Sequence, residues 1–331
     1  MEISNLRINL KNRMLRTDKT IILPHRYADF DAIGSAIGIS YIASNYNKDA
    51  KIIVDDKRYE LDRAVKYIID DVKSEYEIIT SCRYKKMLGD NDLYVLTDVN
   101  QHDRIPISPL IKNKKNTIII DHHDEDDKTI EAGYKYIDTN VSSASEIITQ
   151  VLSRMKVKIP CKIATYLLAG IHLDTNHLTR NLSEETYKAV DILIKNGASI
   201  SVINDLFKED AKSEKKIKEL SDKTKILTYK IALIVADSKD EYTTKELAKA
   251  ANSALEKSVD ASFAIGKISD ETIGISARSN DTLDVGRIMG ELGGGGNKNS
   301  AATRIDGESL DEVATRLRKI IRPNFYIEKE E

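Results

Sequence analysis

The sequence predicts an α/β protein in which a first domain built on a mostly parallel sheet precedes a smaller α/β domain, with a cleft between the two. Short β-branched runs alternate with helical segments through the first half of the chain. These runs are almost continuously apolar, as is typical of strands covered on both faces. A second set of strands and helices follows a charged segment, and 331 residues are enough for two domains.

The first half contains five apolar runs of strand length and three longer segments with helical spacing. Strands are predicted at residues 20–24, 51–56, 77–80, 92–98 and 116–123. Helices are predicted at residues 32–46, 142–155 and 162–173. Residues 183–222 are expected to form helices and then a charged connector, whose run KEDAKSEKKIKE is typical of a solvated helix face or linker.

The second half has the pattern of a separate α/β unit. Strands are predicted at 230–237, 261–268 and 271–279, and helices at 244–257 and 309–321, with a glycine run at 293–296 between them. We therefore expect a first domain at 1–185, a helical linker at 186–225 and a second domain at 226–331.

Composition excludes several classes of protein. The chain carries 51 basic and 53 acidic residues, which argues against a protein that coats DNA through charge, and its low aromatic content argues against duplex nucleic-acid binding. Neither cysteine, Cys82 or Cys161, belongs to a CxxC pair. No apolar run approaches the roughly 20 residues needed to span a membrane, and no signal peptide is visible. A cytoplasmic protein is expected.

Histidines and aspartates follow three of the predicted strands. In an open parallel sheet the carboxyl ends of the strands meet at one edge, where ligands bind. One such residue alone is best explained as a loop or capping residue, but a set at one edge predicts a shared site. The set is His25, Asp29, Asp31, Asp98, Asp121, His122 and His123, joined by Asp174 after a further apolar run.

The chemistry of this set favours a pair of divalent cations. It is rich in carboxylates, contains a minority of imidazoles and has no thiolate, which suits Mn²⁺ better than structural zinc. Two ions ~3.5–4 Å apart would use all the donors, and would supply hydroxide while stabilising the oxygens of a phosphoryl displacement. The remaining histidines, His102, His172 and His177, are expected to be packing or surface residues.

The motifs together resemble the DHH phosphoesterase family. The resemblance lies in HRYADFDAIGSA, Asp98, the DHH triplet at 121–123 and Asp174, and in a second-domain likeness to DHHA1 through ISARS and GGGGNKNSAAT. Within the family, FDAIGSAIGI, SSASEIITQVL, LFKED and ISARSNDTLDVGRIMGELGGGG resemble the catalytic region of bacterial cyclic-di-AMP phosphodiesterases.

The resemblance implies a role for each residue. The ligands of two Mn²⁺ ions would be His25, Asp29, Asp31, Asp98, His122 and Asp174. Asp121 and His123 would be catalytic, with His123 on the scissile phosphate. The substrate would be held by Arg278, which also assists catalysis, and by Ser279, Gly294, Gly295, Gly296 and Asn297.

The family leaves three functions to be compared. The first is a phosphodiesterase that opens cyclic-di-AMP to linear pApA and continues, in one version, to AMP. The alternative is a nanoRNase that degrades short linear oligonucleotides, with or without phosphatase activity on 3′-phosphoadenosine 5′-phosphate. The third is a catalytically quiet nucleotide sensor, against which the complete ligand set argues. The partner is a small nucleotide in each case, and the resemblance is also compatible with a homodimer.

Four departures from the family pattern bear on the substrate. Asp98 is followed by VNQ where TH is usual, and His123 by Asp124 and Glu125 where basic residues are common. The glycine run ends in Asn297 in place of the usual His. The membrane and sensory segments found upstream in many relatives do not occur in this chain. Acids beside the site would repel additional phosphates.

Overall fold

A computed structural model describes residues 2–55, 61–85, 87, 89, 91–106, 114–208, 211–227 and 230–327. The chain forms two compact units, Met1–Lys208 and Glu209–Glu331. The 186–225 segment, expected as a linker, is divided between them. Its helices to residue 207 belong to the first unit, and the rest belongs to the second.

The first unit is built on a six-stranded sheet, and the predicted parallel arrangement is confirmed. The sheet order is β3-β2-β1-β4-β5-β6, with every neighbouring pair parallel. The strands are β1 (Thr20–Pro24), β2 (Ala50–Val54), β3 (Glu77–Thr80), β4 (Leu93–Thr97), β5 (Thr117–Asp121) and β6 (Tyr134–Ile137). The three central strands are buried along their whole length, because helices and loops cover both faces.

Helices surround this sheet, with a large apolar core on one face and a smaller one on the other. They are α1 (Ile3–Arg16), α2 (Phe30–Ser44), α3 (Arg63–Val72), α4 (Ser81–Tyr84), α5 (Ala144–Met155), α6 (Cys161–Asp174), α7 (Glu184–Lys195) and α8 (Ile200–Phe207). Short 3-10 turns occur at His102–Arg104 and Lys114–Asn116. Helix α1 was not predicted, because polar and charged residues outnumber the apolar ones in this segment. It packs through Leu6, Leu10 and Met14, which repeat at helical spacing.

The second unit contains a mixed six-stranded sheet of order β11-β12-β10-β9-β8-β7. Only β8 and β9 are parallel; the other neighbours are antiparallel. Its strands are β7 (Lys225–Leu227), β8 (Ile231–Val235), β9 (Ala261–Lys267), β10 (Thr272–Ser279), β11 (Gly295–Gly296) and β12 (Ser300–Asp306). Its helices are α9 (Ala211–Ser221), α10 (Thr244–Leu255), α11 (Val285–Gly290) and α12 (Leu310–Ile327).

Two predicted boundaries differ in ways that matter for the site. The strands expected at 92–98 and 116–123 end at Thr97 and Asp121. Asp98, His122 and His123 therefore lie beyond the ladder, where their side chains can turn towards a common point. Among the described helices, none is both long and apolar enough to cross a membrane.

Candidate metal centre

The predicted ligands meet at the carboxyl edge of the first sheet. Strands β1, β4 and β5 are adjacent and parallel, so the residues that follow them come out on the same side. His25 follows β1, Asp98 follows β4, and His122 follows β5. Asp174 ends α6, and Asp29 and Asp31 begin α2. The structure thus brings together every residue that the sequence predicted for this edge.

Local backbone geometry turns two of these acids into the site. Asp98 has a φ of 58°, in the left-handed region that Asp tolerates better than most residues, and its N–H still donates to Ile120 O at 3.0 Å. Asp29 is the N-cap of α2, and its Oδ1 accepts the N–H groups of Asp31 and Ala32. Its second oxygen, Oδ2, is the one that points towards His25.

Asp98 is the centre of the arrangement. Its Oδ2 lies 3.4 Å from His25 Nε2, while its Oδ1 lies 3.2 Å from His122 Nε2 and 3.6 Å from His123 Nδ1. One carboxylate therefore offers an oxygen to each of two neighbouring groups. This is the geometry of a carboxylate that can bridge two cations.

Among the described residues, three overlapping sets of donors lie at this edge, and Asp98 belongs to two of them. In each set one potential ligand atom per residue lies within 4.8 Å of all the others. His25 and Asp29 form the first set with Asp98, and their side chains are 3.7 Å apart. His122 Nε2 lies 3.5 Å from Asp174 Oδ2 and 4.0 Å from Asp31 Oδ2 in the second. The third contains Asp98, Asp121, His122 and His123.

Asp121 differs from the other acids because one of its oxygens is fully engaged. Asp121 Oδ1 accepts hydrogen bonds from the backbone N–H groups of His122 and His123, at 2.8 and 3.3 Å. It also contacts His123 Nδ1 at 2.9 Å. Asp121 therefore fixes the direction of the His123 ring, which is half exposed and leaves Nε2 as its outer nitrogen.

Asp31 is held by α5, a helix whose contact with Asp31 was not predicted from the sequence. Its Oδ2 accepts the N–H of Ala144 at 2.8 Å, and its Oδ1 that of Ser145 at 2.7 Å, both in the first turn of α5. Gly170 of α6 makes this packing possible, because a Cβ there would lie 2.8 Å from Asp31 Oδ1 and 2.4 Å from Ser145 Oγ.

A buried glutamate secures that first turn of α5. Glu146 is fully buried, and its Oε2 accepts from Ser142 N, Ser142 Oγ and Thr186 Oγ1 at 3.0, 2.7 and 2.9 Å. Its Oε1 accepts from Gln150 Nε2 at 3.1 Å. The spacing of Ser143 and Glu146, S-x-x-E, is the sequence signal of a helix start that could have located this support.

Burial and mutual repulsion give these groups unusual proton affinities. Burial and the charge of Asp98 raise the pKa of Asp31 to about 7. Burial, together with the charges of Asp31 and Asp98, raises the pKa of Asp174 well above its usual range. Burial opposes the charged form of His122, but the close contact with Asp98 and the surrounding carboxylates outweigh it and raise the pKa to about 9. The site therefore favours added positive charge.

A separate observation also indicates that these donors suit a divalent cation. Several buried side-chain atoms at this edge have no hydrogen-bond partner in the structure, although buried polar atoms are nearly always paired. They are Asp98 Oδ1, Asp121 Oδ2, His122 Nε2 and Asp174 Oδ2. Carboxylate oxygens and imidazole nitrogens that face each other without hydrogen bonds are suitable ligands for a cation.

The departures after Asp98 and His123 form one connected structure. Asn100 is buried, and its Nδ2 donates to the carbonyls of His123 and Asp124 at 3.4 and 3.2 Å. Gln101 Nε2 donates to Asp126 Oδ2 at 2.6 Å, and Glu125 pairs with Lys135. The acidic segment after His123 is thus anchored beside the candidate metal centre by the residues that replace the usual TH.

The other three histidines lie outside the metal sets of the described residues. His102 is exposed on a 3-10 turn. The rings of His172 and His177 are 5.8 Å apart, and His177 lies 4.4 Å from Phe207. Burial lowers the pKa of His172. These contacts agree with the packing role expected for His172 and His177.

The predicted substrate residues of the second unit occupy β10, the two-residue strand β11 and the loop residues on either side of β11. Arg278 is half-buried, and its Nη1 donates to Ser276 Oγ and Ala277 O. Ser279 is 1% exposed, and its hydroxyl donates to Asp260 O and accepts from Leu283 N, so this side chain supports the loop from inside. Asn297 is exposed, but its Oδ1 accepts the N–H groups of Asn299 and Ser300.

The glycines of that loop are not equivalent. An added Cβ at Gly294 would lie 2.3 Å from Ala302 O, and at Gly296 2.4 Å from Ser300 O, with Gly296 at a φ of 145°. Gly295 has nothing within 4 Å of such a Cβ. Packing against β12 therefore requires glycine at 294 and 296, whereas position 295 is open.

Comparison with known proteins supports these two units. Residues 19–171 match the family model described as "DHH family, N-terminal domain", and residues 224–322 match the DHHA1 domain. The chain is 29% identical over 324 residues to the cyclic-di-AMP phosphodiesterase GdpP of Geobacillus thermodenitrificans, and 31% identical over 326 residues to that of Bacillus subtilis. Each match covers 96% of this chain and 49% of the relative, so the chain spans about half the length of these proteins.

A solved structure shows the same fold. The exopolyphosphatase-related protein from Bacteroides fragilis superposes with a TM-score of 0.83 at 21% identity, covering 98% of both chains. The two-unit architecture is therefore found in an experimental structure as well.

Proposed function

The chain belongs to the DHH phosphoesterase family, and from this premise we propose that it is a manganese-dependent phosphodiesterase that hydrolyses cyclic-di-AMP to linear pApA. The observation that carries the proposal is the carboxylate of Asp98, which faces donors of both groups at once. The names of the curated relatives supply the substrate class. Catalysis is assigned to residues 1–185, and substrate binding to residues 226–331.

Six residues would hold the cations. His25 and Asp29 would serve one ion, Asp31, His122 and Asp174 the other, and Asp98 both. When bound, the two ions supply hydroxide near neutral pH and stabilise the charge on the displaced oxygen. The carboxylate-rich donor set without thiolate is the reason for proposing Mn²⁺. The protein itself would hold these donors in place before a cation binds.

Asp121 and His123 would act on the phosphate. Because Asp121 Oδ1 contacts His123 Nδ1 at 2.9 Å, the ring is held in a fixed orientation. Nε2, the outer nitrogen, would then face a non-bridging oxygen of the scissile phosphate and offer it a hydrogen bond where negative charge develops. His123 is half exposed, so this nitrogen is accessible to a substrate.

The second unit would bind the rest of the dinucleotide. Arg278 supplies a guanidinium, whose fork of donors suits a phosphate. The backbone of Gly294 to Gly296 can approach an anion closely because side chains are absent. Asn297 shapes this loop through its two backbone contacts, which gives a structural reason for an asparagine at the end of the run.

The test is a comparison of substrates with one enzyme preparation. Purified protein with Mn²⁺ is incubated with cyclic-di-AMP, pApA, unphosphorylated ApA and 3′-phosphoadenosine 5′-phosphate, and the products are separated by ion-exchange chromatography. We expect cyclic-di-AMP to give pApA with the highest kcat/KM. Rapid hydrolysis of ApA without turnover of the cyclic compound would instead establish the linear-oligonucleotide alternative. Nucleotide binding without turnover of any of these compounds would point to the sensor function.

The glycine loop and the helix before it offer a matched pair of variants. Gly296→Ala should raise KM for cyclic-di-AMP by about tenfold, because its Cβ would displace the loop that we propose holds the nucleotide. Gly290→Ala, in the helix α11 that leads into this loop and where a Cβ also meets nothing within 4 Å, should change KM less than twofold. Equal effects of the two substitutions, measured in steady-state assays on folded proteins, would remove the loop from the binding site.

A further inference from the structure

The opposite edge of the first sheet carries a groove of about 550 Å³ that the proposed reaction does not use. It lies between α1 and the segments that lead into β4, β5 and β6. Asn9, Asn12, Arg13 and Arg16 line one side. These residues form a single stripe on α1, because residues three and four apart share a helix face. Asn91, Lys115 and Gly133 lie across from them.

The groove is positively charged. Among its described lining residues, three are cations (Arg13, Arg16 and Lys115) and none is an acid. Asp18 is nearby, since Asn91 Nδ2 lies 3.4 Å from its Oδ1, but it is not part of the lining. A chain with a net charge of -2 thus places three like charges around one small concave surface. Such an arrangement is unfavourable for folding and attracts anions.

Arg13 is fixed in position, and no acid pairs with its charge among the residues that the structure describes. Its Nη1 donates to Lys115 O and its Nη2 to Gly133 O at 2.9 Å. Both acceptors are neutral carbonyls, so the guanidinium keeps its full charge. The contacts tie α1 to the segments before β5 and β6, and they make the floor of the groove rigid.

Arg16 and Lys115 are available to a ligand. Both side chains are exposed, and neither makes a hydrogen bond or ion pair within the part of the chain that the structure describes. The amide of Asn12 is exposed as well and can donate from the same helix stripe. Asn91, by contrast, is held by Arg16 O and Asn116, so it shapes the wall.

Size and chemistry limit the ligand. A concave site of this volume accommodates a small molecule, for which about 300–1,000 Å³ is usual. No aromatic side chain occurs among the described residues that line the groove, so these residues offer no stacking surface for a base. Guanidinium and ammonium groups with amide donors are the set that recognises phosphate oxygens.

We propose that this groove binds a small anion that carries two or more phosphate groups. The site is separate from the metal centre, because it contacts the starts of the strands whose other ends carry Asp98 and Asp121. Arg16 and Lys115 bind the phosphate oxygens directly, and Arg13 provides the fixed charge beneath them.

The test uses inorganic triphosphate and the metal-free full chain. Removing divalent ions prevents triphosphate from chelating them in solution and from binding through a cation at the carboxyl edge. Isothermal titration at about 150 mM salt should show one triphosphate per chain. The double variant Arg16→Gln, Lys115→Gln should weaken binding at least tenfold, because two charge-assisted contacts are lost. Citrate should bind at least tenfold more weakly than triphosphate.

The control is a second double variant of the same net charge. Lys158→Gln and Lys239→Gln remove two exposed lysines that lie outside the groove, and should change the dissociation constant less than twofold. Equal weakening in both double variants would show that only overall charge matters. Unchanged binding in the Arg16, Lys115 variant would locate the anion elsewhere, for example at the glycine loop. Either result, the absence of binding to the wild type, or equal affinity for citrate would overturn the proposal.

Discussion

The two edges of the first sheet have opposite charge and different construction. At the carboxyl edge, buried aspartates and histidines are fixed by backbone N–H groups and by each other. At the amino edge, exposed cations and amides surround an open groove. The carboxyl edge has buried atoms without hydrogen-bond partners, whereas the free groups of the groove are exposed to water.

This difference indicates which edge needs its side chains held in place before a ligand binds. Buried carboxylates that repel one another destabilise the site unless a cation joins them, so their positions must be enforced by the surrounding helices. Exposed arginine and lysine are solvated without a ligand and need no such support. Substitutions should therefore have large, long-range effects at the carboxyl edge and small, local effects at the amino edge.

The largest effect is expected from Asp98→Ala. This change removes the carboxylate shared by both donor groups and leaves His25 and His122 without their closest acid. We expect the loss of tight Mn²⁺ binding and at least a hundredfold fall in kcat/KM, comparable with the removal of a central electrostatic group in other enzymes. Calorimetry with Mn²⁺ and steady-state assays measure the two effects.

Asp103→Ala is the matched control for Asp98→Ala. Asp103 is an exposed aspartate on the 3-10 turn that follows Asp98 in the chain, and it pairs only loosely, at 3.9 Å, with Lys128. Its removal should leave Mn²⁺ affinity and kcat/KM within about twofold, because exposed ion pairs contribute little. Normal Mn²⁺ binding by Asp98→Ala would contradict the bridging role.

A smaller but still large effect is expected from Gly170→Ala. The added Cβ would lie 2.9 Å from Asp31 Cα and 2.8 Å from its Oδ1, so α2 and α6 must move apart. Overpacking of this kind costs about 1–3 kcal/mol, and we expect a loss of Mn²⁺ affinity of roughly 10- to 100-fold. The unfolding temperature and the Mn²⁺ affinity should both fall, and thermal unfolding and Mn²⁺ titration measure them.

Gly290→Ala serves as the control for that substitution, since a Cβ at Gly290, in α11, meets nothing within 4 Å. It should preserve both the unfolding temperature and Mn²⁺ affinity. If Gly170→Ala lowered stability while Mn²⁺ affinity stayed unchanged, the contact between α6 and Asp31 would be structural only.

The carboxyl edge was predictable because its signals are local in sequence. Each of His25, Asp98 and His122 follows an apolar run, and the parallel order of β1, β4 and β5 brings such positions together. The parallel sheet, and most of its strands, followed from the same runs. The left-handed backbone of Asp98 was not predictable, because it depends on where β4 ends relative to β5.

The groove at the amino edge was not predicted for a physical reason. Its cations come from a polar helix, α1, and from a connector about a hundred residues later, and neither has a motif. Only the contact of Arg13 with Lys115 and Gly133 shows that α1 and this connector meet. The contact between Asp31 and α5 was missed for the same reason, since Asp31 and Ala144 are 113 positions apart in the sequence.

Glu146→Gln should have an intermediate effect. Three donors converge on Oε2, so glutamine must keep its carbonyl oxygen there and place its NH₂ opposite Gln150, whose amide must turn over to accept; the substitution therefore weakens all four contacts and creates a mismatch at Gln150. The mismatch should cost about 1–3 kcal/mol of folding free energy and loosen the turn that binds Asp31. We expect Mn²⁺ affinity to fall about tenfold, as for other residues that position a ligand.

Glu185→Gln is the matched control for Glu146→Gln, because Glu185 is an exposed glutamate on α7 that pairs with Lys188. It should leave the folding free energy and the Mn²⁺ affinity unchanged. A Glu146→Gln protein that is destabilised but binds Mn²⁺ normally would show that α5 can shift without moving Asp31.

The smallest effect at the metal centre is expected from Arg16→Gln combined with Lys115→Gln. A five-residue strand is roughly 16 Å long, so these charges lie about two Debye lengths from the carboxylates at physiological salt. Their removal should change Mn²⁺ affinity and kcat less than twofold in the absence of added polyanion, which is measurable in the same titrations. A larger change would mean that the strands transmit the state of one edge to the other, and the two edges would then have to be treated as one coupled system.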